Sequence, residues 1–398
     1  MTYFKLPTSN SIKINESFFK LQFKLKDESS QICSFNLKKY LNKTKKKIDD
    51  VSYLWNQVKI YTNPYEFIHT NVPNYNISVS KHRPISRAFF KILEIYNLFN
   101  LLDYNDPINT FHLAEGPGGF LEATLFLRKN KKDNYYGMTL IDKKDNTPGW
   151  KKSKKVLDKF QNISLEYGAD KTGNLYSEKN YQYCCNKYKH KFEIITGDGG
   201  IDFSSDFNAQ ETTASRLILT QVFYAISMQK ANGTFILKMF DVFNKLSVDI
   251  LYILSLFYKN VYVVKPYTSR YANSEKYIVC IGFINKMTSE IKQKFFKILK
   301  VLKNINFDKY NIHSLINKKH SLYFMNHIED VNIILGQRQI ENILYTLKII
   351  KNKEKYQDKI NKFKTTNIIK SIKWCENNNI ETNNFDNLIY PKNIFLKK

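Results

Sequence analysis

Between Thr110 and Ile284 this chain alternates, and that alternation restricts its fold more than any other feature. Short apolar runs of strand character are followed by longer segments with apolar residues at helical spacing. "TFHLAE" predicts a strand and "GFLEATLFLRKN" a helix. "YYGMTLID" predicts a strand and "SKKVLDKFQ" a helix; "ISLEYG" and "FEIITGDGG" predict strands. "SRLILTQVFYAISMQK" predicts a helix, "GTFILKMF" a strand and "LSVDILYILSLFY" a helix. "KNVYVVKP" and "KYIVCIGFI" close the series as strands. Strands apolar along their whole length and separated by helices belong to a mostly parallel, buried sheet with helices on its faces. The last two strands leave no room for a helix between them, so they are expected to pair antiparallel at one edge. The fold class is therefore α/β, a Rossmann-like sheet with a last antiparallel strand, carrying helical additions at both ends.

The flanks read differently. Residues 1–80 are polar, basic and mixed, with one helix expected in "LKKYLNKTKKKIDDVSYLWNQVKIYTNPYEFIH", ending near Pro64. "ISRAFFKILEIYNLFNLL" predicts a second helix at 85–102. From 287 onward the strand signals stop, and "TSEIKQKFFKILKVLKNI", "ENILYTLKIIKNKEKYQDKINKF" and "TTNIIKSIKWCENN" predict basic amphipathic helices. We expect an N-terminal extension over 1–80, the α/β domain over 81–286 and a basic helical extension over 287–398.

Charge then bears on partners. The chain carries 62 Lys+Arg against 36 Asp+Glu, a formal +26. Such a surface draws polyanions, with nucleic acid the first candidate and an anionic membrane the second. Lysine is scattered along the chain, so a simple solvated surface fits composition equally well. No membrane-spanning segment or signal peptide is expected. The five cysteines include an adjacent pair and show no metal-ligand spacing, which suits a reducing compartment without structural zinc.

The segment "HLAEGPGGFLEA" places a glycine-rich turn between a strand and a helix, where the backbone can approach a ligand and helix N–H groups are unpaired. It is neither GxGxxG nor a P-loop, since no Gly-Lys-Ser/Thr follows. Glu115 precedes the turn, and a ligand with a cationic group suits that acid better than a triphosphate. S-adenosylmethionine, with its ammonium, carboxylate and sulfonium, fits. A tight turn with no ligand is the plainer reading. Asp142, Asp170 and Asp198 stand at or after the ends of the next strands, where ligands of doubly wound sheets sit. They could hold adenosine hydroxyls, the adenine amino group and the ammonium; each alone could be a loop residue or helix cap.

"HLAEGPGGFLEA", "GMTL", "GADKTGN", "TGDGG", "GTFILKMF" and "KPYTSRYANSEKYIVC" occur in that order. As a set they resemble the RrmJ/FtsJ-type RNA ribose 2′-O-methyltransferases, and among those most the mRNA cap enzymes of eukaryotes and large DNA viruses. "NPYEFI" and "SRAFFKILEI" are similar to that subgroup's approach to its first catalytic lysine. The likeness covers roughly residues 55–285. It implies a Lys-Asp-Lys-Glu tetrad at Lys91, Asp198, Lys238 and Glu275, with Lys238 as general base. It also implies that Gly116, Pro117, Gly118, Gly119 and Phe120 contact the cofactor and that Asp170 lies near the adenine. Asn273 and Arg270 are implied contacts to the cap or transcript, and no metal is implied. The segment "GIDFSSDFNAQE" and the long spacer "VPNYNISVSKHRP" depart from the family pattern.

A ribose hydroxyl is a weak nucleophile, and a lysine can act as its base only when unprotonated. An ordinary ammonium titrates near about 10.4, and burial or a neighbouring cation lowers that value. A lysine inside the apolar strand "GTFILKMF" is costly to bury without a purpose. The expected function is S-adenosylmethionine-dependent methylation of a cap-proximal ribose of capped mRNA. The alternatives are the same chemistry on rRNA or tRNA, or a non-catalytic RNA-binding accessory subunit. Other capping or transcription machinery is an expected partner, and the cytoplasm, a viral factory or virion, or the nucleus the expected location.

Overall fold

The computed structural model describes residues 1–8, 12–142, 147–201, 208–284, 286–352 and 354–385. Ten strands are present among them: β1 (Thr2–Leu6), β2 (Phe19–Leu25), β3 (Asn109–Leu113), β4 (Asn134–Met138), β5 (Ile163–Glu166), β6 (Phe192–Gly197), β7 (Gln229–Met239), β8 (Tyr258–Lys265), β9 (Lys276–Phe283) and β10 (Tyr310–Ile316). Eight form one sheet in the order β1-β8-β9-β7-β6-β3-β4-β5. From β5 through β7 all neighbours are parallel. β9 is antiparallel to both β7 and β8, as two strands joined without a helix must be.

The chain leaves β3 for β4 and β5 on one side, then returns to place β6 on the other side. This reversal opens a crevice at the carboxyl ends of β3 and β6, where ligands of such sheets bind. Leu113 and Gly197 are register partners at the end of those strands. Asp198 follows Gly197 directly, and Glu115 follows Leu113 after Ala114.

Both faces of the sheet are covered. On one lie α6 (Glu178–Lys187), α7 (Gln210–Met228), α8 (Lys245–Phe257) and α9 (Ser289–Lys303), which pack Tyr181, Val222, Leu254 and Phe295 into the larger core. On the other lie α3 (Ala88–Phe99), α4 (Gly119–Arg128) and α11 (Gln357–Asn377), contributing Phe89, Phe120 and Trp374. The short α5 (Lys154–Lys159) flanks a small cluster of Leu121, Leu125, Tyr135 and Trp150. β6 is buried along its length: Phe192, Ile194 and Ile195 pack into the cores, and its polar residues are partnered, Glu193 by the Asn109 amide and Lys230, and Thr196 by His112. α3 ends where Asn100 adopts φ 50, a left-handed cap that asparagine tolerates.

Several elements depart from sequence expectation. The β8–β9 pair is antiparallel, but β1 lies outside it, so the N-terminal residues supply the edge. β1 is five residues of alternating exposure with one lysine inside, a pattern too short to distinguish from mixed polar chain. The single helix expected near 37–69 is two, α1 (Phe35–Lys46) and α2 (Ser52–Thr62), separated by a 3-10 turn at Asp49–Val51. The break lets Leu41 and Trp55 meet different parts of α10 (Leu322–Lys351), through Ile340 and Ile343. The region after 287 contains a strand, β10, which pairs with β2 in a separate two-stranded sheet. All five cysteines are buried free thiols. No helix among the described residues is long and apolar enough to cross a membrane. Residues 202–207, within the Asp/Ser-rich segment that departs from the family pattern, lie outside the described residues.

What holds β10 is a buried carboxylate. Asp249 on α8 accepts hydrogen bonds from Ser314 Oγ at 2.8 Å and the Leu315 amide at 2.9 Å. Its other oxygen lies 2.9 Å from His320 Nε2 and also pairs with Lys245. Burial pushes the acid up, but His320 and Lys245 outweigh it and hold it below the usual carboxylate range. Removing one member of a buried charged set typically costs about 3–5 kcal/mol. Asp249→Ala is therefore expected to lose about 3 kcal/mol in urea unfolding followed by circular dichroism. Hydrogen exchange should accelerate first in residues 310–316. An unchanged midpoint would mean that the carboxylate is not the anchor.

Candidate active site

Four side chains converge at the carboxyl edge of the sheet, each delivered by a different element. Lys91 comes from the second turn of α3, Asp198 from the residue after β6, Lys238 from near the end of β7 and Glu275 from just before β9. Lys91 Nζ lies 2.7 Å from Glu275 Oε1 and 2.9 Å from Oε2. Lys238 Nζ lies 3.1 Å from Asp198 Oδ1 and donates to the Asp198 carbonyl at 2.7 Å. The structure thus brings all four expected tetrad residues together as two ion pairs. Both pairs are shielded: the Lys91 and Lys238 side chains are 10% and 11% exposed.

The pairs act on each other. Burial lowers the Lys91 ammonium below its ordinary value and Arg87 adds to this, against the pull of Glu275 and Asp198. Burial raises Glu275, but Lys91, Lys238 and Lys265 outweigh it and hold the acid far below the carboxylate range. Glu275 therefore stays a carboxylate and fixes the Lys91 amine.

Behind the tetrad lies a ring of residues of which only Arg270 and Asn273 were picked out from the sequence. Glu66, buried in a 3-10 turn, is bound by Arg270 through Nε at 2.9 Å and through a terminal nitrogen, with Arg87 at 3.8 Å. Burial pushes Glu66 up, but the two guanidiniums bring it down to about 2. Glu94, one turn after Lys91 on α3, accepts the amides of Tyr267 and Thr268 at 2.7 and 3.2 Å. Lys265 ends β8 and donates to the Asn273 carbonyl at 2.8 Å, to Asn273 Oδ1 at 2.6 Å and to the Glu275 carbonyl at 2.6 Å. Burial lowers it to about 7, helped by Lys276 and Lys91. Ser269 Oγ donates to Glu275 Oε1 at 2.9 Å. Arg270 and Asn273, expected as RNA contacts, thus also hold the loop that presents Glu275. "NPYEFI", "SRAFFKILEI" and "KPYTSRYANSEKY" contain all these residues, but a motif cannot say that an acid of one and an arginine of another meet across about two hundred positions.

The glycine turn lies beside the tetrad. Glu115 Oε1 accepts the amides of Phe120 and Leu121 at 2.7 and 3.0 Å, capping α4 across the turn. Its Oε2 is buried without a hydrogen-bond partner. Burial and the neighbouring Asp198 raise this acid to about 8, against those two amides and Lys238. A side chain at Gly116 would collide with Gly149 and Thr139, and one at Gly119 with Ser86. Gly118 has φ 112 and lies against Ser153. These glycines are thus required by the chain's own close packing, whatever else approaches the turn. Pro117 follows a cis peptide bond, and its carbonyl accepts a hydrogen bond from Ser153 Oγ.

The remaining acids lie further out. β4 ends at Met138, so Asp142 stands four residues beyond its strand, exposed. Asp170 is exposed in the loop after β5, where its Oδ1 accepts from Thr172 Oγ1 at 2.6 Å and Asn180 Nδ2 at 2.8 Å. The Ile141 amide donates to the Thr172 carbonyl at 2.8 Å, which brings the two segments side by side. No cluster of metal-ligating side chains occurs among the described residues.

Comparison with known proteins gives the family. A family model described as FtsJ-like methyltransferase matches residues 84–283. A cap-specific mRNA (nucleoside-2'-O-)-methyltransferase 1 of Trypanosoma brucei brucei is 33% identical over 178 residues, covering 42% of this chain and 45% of that protein. The protein of the same name from Drosophila melanogaster is 26% identical over 311 residues, 70% of this chain and 36% of that one. A Caenorhabditis briggsae protein named inactive cap-specific mRNA (nucleoside-2'-O-)-methyltransferase 1B is 27% identical over 242 residues, 58% of this chain and 28% of that one. The chain spans less than half the length of these relatives.

Glu115 generates a pH prediction. Its folded value lies above its unfolded one, so the folded state keeps a proton that the unfolded state loses. That contribution is complete below the ordinary carboxylate value and is lost as pH rises toward about 8. Glu115→Gln keeps the acceptor for Phe120 and Leu121 and removes the titration. Denaturant unfolding between about pH 4.5 and pH 8 should then fall less steeply in the variant than in the parent; parallel profiles would refute the assignment.

Proposed function

We infer that this chain, which belongs to the FtsJ-like methyltransferase family, transfers a methyl group from S-adenosylmethionine to a cap-proximal ribose 2′-hydroxyl of capped mRNA. The observation that carries the reading is the pair of shielded ion pairs, Lys91–Glu275 and Lys238–Asp198, beside the glycine turn. The names of the relatives favour capped mRNA as the acceptor.

The donor set fits a cationic ligand. Glu115 has a buried oxygen without a hydrogen-bond partner, and its nearest charged neighbours are Asp198 and a single ammonium, Lys238. A positive group there would relieve the burial of two acids. Glu115 and residues Gly116 to Phe120 would hold the amino-acid end of S-adenosylmethionine, and Asp142 and Asp170 the adenosine. The bound cofactor supplies a methyl group activated by its sulfonium. The chain supplies orientation and proton management. Asp198 holds the Lys238 amine through both its carboxylate and its carbonyl, so Nζ has little freedom to leave the site. An unprotonated Lys238 takes the proton of the 2′-hydroxyl as that oxygen is methylated. Lys91, fixed by Glu275, completes the site from the other side of the carboxylate. Asn273 and Arg270, in the loop bearing Glu275, border the RNA.

A non-catalytic RNA-binding role is the second reading, favoured by the relative named inactive and by the basic surface. The complete tetrad in this chain argues for catalysis.

General-base removal typically costs about 10²–10⁴ in rate. Lys238→Ala should lower radiolabelled methyl incorporation into capped RNA at least about 100-fold. S-adenosylmethionine affinity by calorimetry should stay close to the parent's. A near-normal rate in the variant sinks the assignment. Uncapped RNA of the same sequence distinguishes cap-dependent from other RNA methylation, nuclease digestion of the product identifies the nucleotide, and no incorporation by the parent favours the accessory reading.

A further inference from the structure

The sheet order lays out the site as a line. Glu115 follows β3, Asp198 follows β6, Lys238 is near the end of β7, Glu275 precedes β9, Lys265 ends β8 and Thr2 begins β1. All lie at the same edge, because β9 and β1 run opposite to the strands beside them. The cofactor turn stands on one side of the tetrad. On the other side, between the loop after β8 and helix α10, is a groove of about 530 Å³. Its walls carry Tyr267, Tyr271 and Tyr345 with Arg338 and Glu341, and Lys265, which bonds the Glu275 carbonyl, is part of the same lining. Tyr267 is 41% exposed, and its ring stacks on Tyr65 at 4.9 Å.

The rings are set in place by backbone ties. The Tyr267 amide donates to buried Glu94, and the Tyr271 amide to Asn63 Oδ1 at 3.1 Å. Glu94 stands one turn from Lys91, so the loop that carries the tyrosines is fixed to the helix that carries a tetrad lysine.

We propose that this groove is a stacking subsite for unpaired nucleobases of the acceptor RNA, adjoining the tetrad on the side away from the cofactor turn. The proposal rests on the reading of this chain as an RNA methyltransferase. Tyrosine faces take any base by stacking, and Arg338 supplies a cation for the phosphate backbone. Glu341 accepts from Gln337 Nε2 at 2.8 Å through Oε1, which leaves its second oxygen for an amino group on a base edge. A duplex has its base faces already stacked, so the groove selects single strands.

The test is fluorescence anisotropy of the full chain with a 3′-labelled capped single-stranded RNA, alongside a duplex of the same sequence. Stacking on an aromatic residue is worth about tenfold or more in affinity for one base. The double variant Tyr271→Ala/Tyr345→Ala should weaken single-strand binding about tenfold and leave duplex binding and S-adenosylmethionine affinity unchanged. Tyr271→Phe/Tyr345→Phe, which keeps the rings and drops the hydroxyls, should retain parental affinity and controls for misfolding. Unchanged single-strand affinity in the alanine variant overturns the proposal, as does equal loss on the duplex, a phenylalanine variant as weak as the alanine one, or no RNA binding by the parent. If the parent binds single strands through these tyrosines but methylates no RNA, the groove stands and the enzymatic reading falls. If it methylates capped RNA and the alanine variant binds as the parent does, the reverse holds.

Discussion

The adjacency of β3 and β6, with their onward connections running to opposite sides of the sheet, governs the whole site. A parallel sheet must send each strand's carboxyl end to the same edge, and its helices must cover both faces. At the reversal no helix can cross directly over the gap, so a crevice remains there. Glu115 and Asp198 stand at that gap because they are the residues that follow the two strands. The antiparallel insertion of β9 between β7 and β8 then turns the chain back at the same edge. That is why Glu275, which precedes its strand, meets Lys91 and Lys238, and why Lys265 lies next to it.

The second constraint is electrostatic. Lys91, Glu275, Lys265, Glu66 and Arg87 are all charged groups largely withdrawn from water. A buried charge without a partner costs several kcal/mol, whereas a matched set roughly offsets that penalty. The structure meets this by alternating sign: Glu66 between Arg270 and Arg87, Glu275 among Lys91, Lys238 and Lys265. The amines feel both burial and one another, so Lys91 and Lys265 are held below the ordinary lysine value while Glu275 stays ionised. Such an arrangement contributes little to stability for its size. It sets protonation states, which is what proton transfer requires. Glu115 stands apart from this pattern, because its nearest charged neighbour of the same sign is not fully matched by Lys238. It is the group whose electrostatics a bound cation would complete.

Much of this could be read along the chain. Strands that are apolar at most positions, such as "GTFILKMF", signal burial on both faces, because periodicity in one dimension reports which faces meet water. The tetrad residues were legible because they lie in short motifs that resemble those of a known family. β1, β2, β10 and α6 were not. β1 and β2 alternate polar and apolar residues over a few positions, and their pairing partners β8 and β10 lie about 260 and 290 residues away. Nothing local distinguishes such a segment from irregular chain. The groove beside the tetrad was equally invisible: Tyr267, Tyr271 and Tyr345 are three among 27 tyrosines.

By itself the sequence determined the α/β class, the glycine turn after the first sheet strand, and the identity of the four charged residues that meet at the site. The first two depend on periodicity and local turn chemistry, which act over a few residues; the four charged residues came from the resemblance of their short motifs to a known family. Tertiary structure alone decided which charges are neighbours. Glu66 finds Arg270 and Asp249 finds Ser314 only because the sheet order and its covering helices carry them together. It also decided that the glycines of the turn make room for Ser86, Ser153 and Gly149. Close packing and burial depend on three-dimensional proximity, and so therefore do the protonation states on which the proposed chemistry rests.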